Sequence, residues 1–144
     1  MITVEQASEW VLGTAKALST EEVALEAARG RVLAEELRAD RDFPPFNRVT
    51  MDGIAIAFRA FESGQRTFRI AGTQAAGEPA LSLNDTRECL EVMTGAVLPD
   101  NADTIIRYED LEIKDGIVQL QIEEIKAGQN VHRQSSDRKN GELI

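Results

Sequence analysis

The chain has 144 residues, 42% hydrophobic and 28% charged, and its 16 Lys and Arg against 25 Asp and Glu leave a net charge of -9. That size suits one domain or two small lobes and excludes wholesale disorder. The acidic excess argues against a nucleic-acid or anionic-membrane surface, no apolar run approaches the ~20 residues of a membrane span, and no secretory leader opens the sequence. One cysteine, Cys89, and one histidine, His132, exclude an intramolecular disulfide, a Cys-rich zinc site and a His-based metal cluster within one chain. A cytoplasmic protein is expected, with carboxylates, hydroxyls and backbone groups left to carry any chemistry.

Taken in chain order, Thr3 followed by Gln6 reads as a capping box. Val4, Ala7, Val11 and Leu18 then form a helical stripe beside Trp10 and Ala15, ending at Ser19-Thr20. Val23, Leu25 and Ala27 alternate and predict a short strand over 22–27. Arg29-Gly30-Arg31 is expected to open a second short helix reaching Glu36, with an extended return at 37–39. The run Asp42-Phe43-Pro44-Pro45-Phe46 breaks both patterns, because each proline forces the residue before it to extended angles. It marks a lobe boundary.

After it the chain reads as short strands: 51–58, 67–71, 88–94 (holding Cys89), 103–108, 111–114 and 117–122. Lys114-Asp115-Gly116-Ile117 is a hairpin signal. So many strands in so few residues predict a small β-barrel or β-sandwich. From Ala127 onward the chain turns polar. The fold class expected is therefore α+β, with short helices and strands in an extended lobe (1–50 and 129–144) and an inserted β-rich lobe (51–128).

Four segments carry residues that a core does not need. Asp52-Gly53 sits at a strand mouth, where a carboxylate can face a cleft while Gly53 lets another backbone approach. Ala75-Ala76-Gly77-Glu78-Pro79 is a small-residue loop. In Met93-Thr94-Gly95-Ala96-Val97-Leu98-Pro99, the Thr94 hydroxyl and the N–H groups beside it suit an anion. In His132-Arg133-Gln134-Ser135-Ser136-Asp137, Arg133 is a fork for phosphate or carboxylate with Asp137 in reach to pair with it. Each segment alone is read first as a turn or a surface ion pair, and none is specific by itself.

In this order, however, the motifs resemble the MoeA/gephyrin family of molybdopterin molybdenumtransferases. Asp42-Phe-Pro-Pro-Phe-Asn-Arg-Val-Thr-Met-Asp-Gly-Ile-Ala-Ile56 is similar to that family's signature. Ala28 to Ala34, Ala76 to Pro79, Met93 to Pro99 with Ala102-Asp103-Thr104, Tyr108-Glu109-Asp110 and Asn130 to Gly141 follow in the family's order. The resemblance implies an elongated homodimer and a reaction that moves molybdenum from molybdate onto adenylylated molybdopterin with a divalent metal, Mg²⁺. It implies catalytic roles for Asp52, Thr94 and Asp137, and substrate contacts from Gly53, Gly95, Arg133 and Glu109. Asp52 and Asp137 would be the metal ligands, since Mg²⁺ takes one or two carboxylates plus phosphate oxygens and waters. The partners implied are a second copy, the small-molecule substrate, the molybdopterin adenylyltransferase and molybdoenzymes, with no nucleic acid and no membrane.

Two departures stand out: Ile54 where the family has Tyr, and Ser135-Ser136 where it has Gly-Glu. The family's later molybdopterin-binding α/β lobe and final β lobe have no counterpart before Ile144. The chain is thus expected to hold half of an inter-subunit site and no activity alone. The alternative is a non-catalytic binding or scaffold module of gephyrin type.

Overall fold

The computed structural model describes residues 2–16 and 18–144. They divide into two compact units, one ending at Glu36 and one running from Leu37 to Ile144.

In the first unit, helix α1 spans Val4–Thr14. Its start is the expected capping box: Gln6 N–H donates to Thr3 Oγ1 (3.2 Å) and Thr3 N–H to Gln6 Oε1 (3.1 Å). It ends earlier than the stripe predicts, because Ala15 is already extended; Ala17, within the predicted helix, lies outside the described residues. The helix buries no residue, and Trp10, Val11 and Leu12 are exposed. Neither of the next two expected elements forms. Residues 22–27 hold only a 3₁₀ turn at Leu25–Ala27, since among the described residues no strand pairs with this segment. The helix expected from Arg29 is replaced by a turn in which Gly30 takes a left-handed φ of 81°, a conformation that stops helix propagation at its first residue.

The second unit is dominated by strands: β1 Arg48–Val49, β2 Gly53–Ile56, β3 Thr67–Gln74, β4 Glu88–Val92, β5 Thr104–Arg107, β6 Leu111–Lys114, β7 Ile117–Leu120 and β8 Val131–His132. Six form one open sheet in the order β5-β2-β4-β3-β7-β6, with β3 and β4 parallel and every other pair antiparallel. This is an α+β fold whose sheet keeps two edges.

The hairpin between β6 and β7 turns at Asp115 and Gly116, both at positive φ (52° and 76°), the geometry of a type I′ turn. Helix α2, Phe58–Glu62, takes the end of the predicted strand 51–58. Asp103 Oδ1 accepts from Phe58 N–H at 2.7 Å where the strand stops.

At β2, inside the sheet, both faces are buried. Successive residues of β2 feed opposite cores: Ala55 packs with Val49, Leu90, Val92 and Ile105, whereas Ile54 and Ile56 pack with Phe61, Phe68, Cys89 and Ile106. Two-sided burial explains why this strand reads as an unbroken apolar run. Ile54 is fully buried there.

Cys89 is buried in the second of these cores. Desolvation, followed by the charges of Glu91 and Glu88, pushes its thiol up to about 12. Because the unfolded thiol titrates near its ordinary value of about 8.5, this stability is fully present below that value. It is lost as pH rises towards 12. Native protein at pH 8 should leave Cys89 unmodified by a thiol reagent, while urea-unfolded protein reacts with one equivalent; rapid labelling of the folded chain would contradict this burial.

The two-stranded ladder pairs Arg48 with His132 and Val49 with Val131. The extended 37–39 return is also present: Ala39 N–H donates to Glu142 O and Ile144 N–H to Leu37 O, each at 2.9 Å. Phe43 N–H reaches Arg138 O at 2.8 Å. Segments from the two ends of the unit therefore meet around the proline run.

Candidate active site

Gly53 opens β2 opposite Val92 of β4 and Arg107 of β5. A Cβ built there would run into the carbonyl oxygen of Ile106 and lie 2.8 Å from its carbon. Glycine therefore lets β5 close onto β2 at the residue after Asp52. The Asp52 backbone is held too, since its carbonyl accepts from Tyr108 N–H at 3.3 Å.

The Asp52 carboxylate reaches 42 residues along the chain to Thr94. Its Oδ1 accepts from both Thr94 N–H (2.6 Å) and Thr94 Oγ1–H (2.8 Å). The backbone hydrogen bond, with the hydroxyl second, holds the carboxyl below the usual aspartate range, so it is ionised at neutral pH. Both residues are exposed, and one carboxylate oxygen takes both bonds.

Gly95 is used differently from the sequence expectation. Its N–H donates to Val49 O at 2.9 Å, and the Thr94 N–H is spent on Asp52. Neither N–H that was expected to cradle an oxyanion is free to do so, because strand β1 and Asp52 compete for them.

Beside this pair, Tyr108 Oη–H donates to Glu91 Oε1 (3.1 Å), and Thr73 Oγ1–H donates to Glu91 Oε2 (3.2 Å). Burial, then Glu91, then the charge of Asp52 push the phenol up to about 12, so it stays a donor. Glu109 is exposed in the 3₁₀ turn Tyr108–Asp110. Its neighbour Asp110 is taken by a two-pronged bond from Arg107, with Nε 3.0 Å and Nη2 2.9 Å from Oδ2.

Asp137 lies in a second cluster. It pairs with His132 (Nε2 to Oδ1, 2.7 Å) instead of the expected Arg133, whose guanidinium lies against Gly128. Ser135, where the resemblance has Gly, sits at a φ of 62°. The turn places Ser135 in the left-handed region, and its N–H donates to Pro44 O at 3.1 Å.

Asp52 and Asp137 thus sit in separate hydrogen-bonded pairs. Among the described residues, no three His, Cys, Asp or Glu side chains gather to hold a metal ion. Concavities of ≈ 240 Å³ (by Arg59, Asp85 and Asn101) and ≈ 330 Å³ (by Arg66 and Glu123) contain none of the expected site residues.

Three residues that the sequence reading passed over shape this surface. Glu91 and His132 hold Tyr108 and Asp137. Gln74, fully buried, holds the loop that follows it. Gln74 falls beyond the strand predicted over 67–71, so its inward phase shows only once β3 is seen to run to residue 74.

Among the described residues, no helix is long and apolar enough to cross a membrane. The family model described as the MoeA N-terminal region (domain I and II) matches residues 2–144. A molybdopterin molybdenumtransferase of Synechocystis is 46% identical over 121 residues, covering 83% of this chain and 31% of that protein. A gephyrin of Dictyostelium discoideum is 28% identical, covering 86% and 19%. A solved structure of the molybdopterin biosynthesis MoeA protein from Pyrococcus horikoshii superposes with a TM-score of 0.76 at 31% identity, covering 86% of this chain and 34% of that one. The chain spans about a third of the length of the molybdopterin molybdenumtransferases it matches, such as the 31% and 36% covered in two of them. With the family model matched along its whole described length and the same fold in a solved MoeA protein, the chain belongs to the MoeA N-terminal family.

Proposed function

We propose that the chain is the N-terminal part of a cytoplasmic molybdopterin molybdenumtransferase, supplying half of an inter-subunit site that moves molybdenum from molybdate onto adenylylated molybdopterin. The observation that carries this is the Asp52–Thr94 pair. It is an exposed, ionised carboxylate fixed by two donors from a segment 42 residues away. An exposed, preordered carboxylate fits a site completed by another lobe. In this reading 1–50 and 129–144 make the extended lobe and 51–128 the β-rich lobe. The exposed apolar side of α1 is the surface offered to a second copy.

Mg²⁺ fits the donor set only in one way. Asp52 and Asp137 each have one oxygen engaged by the protein, leaving one for an ion held mainly by substrate phosphate and water. Bound there, it would neutralise phosphate charge. Gly53, Gly95 and Thr94 shape the backbone around Asp52, while Glu109 and Arg133 are the exposed charged groups left for substrate.

The test is Asp52→Asn and Thr94→Ala in the full-length enzyme. Molybdenum insertion should fall about tenfold or more with melting unchanged; full activity in both variants would refute the assignment. The gephyrin relative favours a second reading, a non-catalytic scaffold module. A coding sequence continuing past Ile144 into a Thr-Gly-Asp-Glu motif supports the transferase, and a stop codon there supports the scaffold.

A further inference from the structure

We infer that His132 is a positioning residue that orients the Asp137 carboxylate, and that Arg48 fixes the ring tautomer in which it does so. The β1–β8 register sets Arg48 opposite His132, and Arg48 Nη2 lies 3.1 Å from His132 Nδ1. A guanidinium has only donors to offer, so Nδ1 is the acceptor. The ring's proton is therefore on Nε2, and it is donated to Asp137 Oδ1 at 2.7 Å. The three groups form one directed chain, from guanidinium to imidazole to carboxylate, across a two-stranded ladder.

The backbone around Asp137 is anchored separately. Asp137 N–H donates to Phe43 O at 2.9 Å. Gln134 N–H donates to Asn47 Oδ1 and Asn140 N–H to Asp42 Oδ1, each at 3.0 Å. The loop thus fixes where Asp137 sits, and His132 fixes how its side chain points. An exposed carboxylate without such a partner must be ordered anew at each binding event. The hydrogen bond removes that cost and engages Oδ1, leaving Oδ2 of this exposed carboxylate for substrate or ion. A partner of this kind for a ligating or reacting group is worth 10–100-fold.

This inference rests on the reading that Asp137 belongs to the site, and the experiments separate the two. Because His132 is the only histidine, nitrogen-15 spectra of the chain at alkaline pH show a single imidazole. The expected result is a proton on Nε2, protected from exchange with water and exposed in Asp137→Ala, with the Nδ1 resonance moving in Arg48→Met. A proton on Nδ1, or an unprotected Nε2 proton, would overturn the inference whatever the enzyme does.

In the full-length enzyme, His132→Leu should lower activity about tenfold or more, and His132→Gln, which keeps a donor at the Nε2 position, should restore most of it. If Asp137→Asn is inactive while His132→Leu is fully active, the positioning role is wrong. A fully active Asp137→Asn instead removes Asp137 from the site and refutes the underlying reading.

Discussion

Gly53→Ala is expected to cost about 3–5 kcal/mol of folding stability, enough to unfold much of the population at physiological temperature. The methyl group would meet backbone, not a side chain that can swing away: the Ile106 carbonyl, and Arg107 Cα at 2.9 Å. Relief requires β5 to separate from β2, and those strands share four paired positions from Gly53–Arg107 to Ile56–Thr104. Both sheet faces are buried there, so parting the strands opens both cores together.

The same movement carries Tyr108 away from the Asp52 carbonyl, so any protein that still folds should lose the geometry of the Asp52–Thr94 pair. Gly72→Ala in the same sheet is the control. Its nearest neighbour would be Leu90 Cδ2 at 3.5 Å, an ordinary contact, so it should cost less than about 1 kcal/mol. Urea unfolding of both variants checks the contrast; equal midpoints would mean that β5 does not sit as tightly on β2 as described.

The β-rich part of this fold was legible because its strands announce themselves locally, by short apolar runs and turn residues. The β6–β7 hairpin falls where Lys114-Asp115-Gly116-Ile117 signals it. The misread segment 22–36 shows the limit of that approach. Alternation at Val23, Leu25 and Ala27 is only half of a strand, and among the described residues no ladder partner completes it. The β1–β8 ladder was invisible for the converse reason: two residues per strand, 82 positions apart at Val49 and Val131, leave no periodicity to detect.

The site divides along the same line. Asp52 and Thr94 each read as turn residues, and their meeting depends on how β2 and β4 pair, so only the family resemblance joined them. His132 went unassigned because its contact with Asp137 needs the left-handed turn at Ser135, a conformation that serine rarely signals. The expected Arg133–Asp137 pair followed charge alone, and the strand geometry of β8 overrode it.

Gln74→Leu is the second large effect, expected to destabilise the protein by about 2–4 kcal/mol. The buried Gln74 amide is the hub of the 75–81 loop. Its Nε2–H₂ group shares two hydrogens among the carbonyls of Ala75 (3.2 Å), Glu78 (3.3 Å) and Pro79 (3.1 Å), and its Oε1 accepts from Leu81 N–H at 2.6 Å. Leucine matches the volume but satisfies none of these groups, so the buried link that ties the loop to β3 loses all of its hydrogen bonds at once.

The consequence reaches the site by two links. Gln74 O accepts from Met93 N–H at 3.3 Å, one residue before Thr94, and Ala76 packs within 4.0 Å of where a Cβ on Gly95 would lie. Loosening the loop should therefore loosen the turn that clamps Asp52. Urea unfolding should show the lower midpoint. Hydrogen exchange should show lost protection at Leu81 and Thr94 N–H before any global opening. Because the Thr94 N–H is held by Asp52 and not by Gln74, its exchange reports coupling between loop and site. Unchanged protection at Thr94 in Gln74→Leu would mean that the loop and the Asp52–Thr94 pair stand independently.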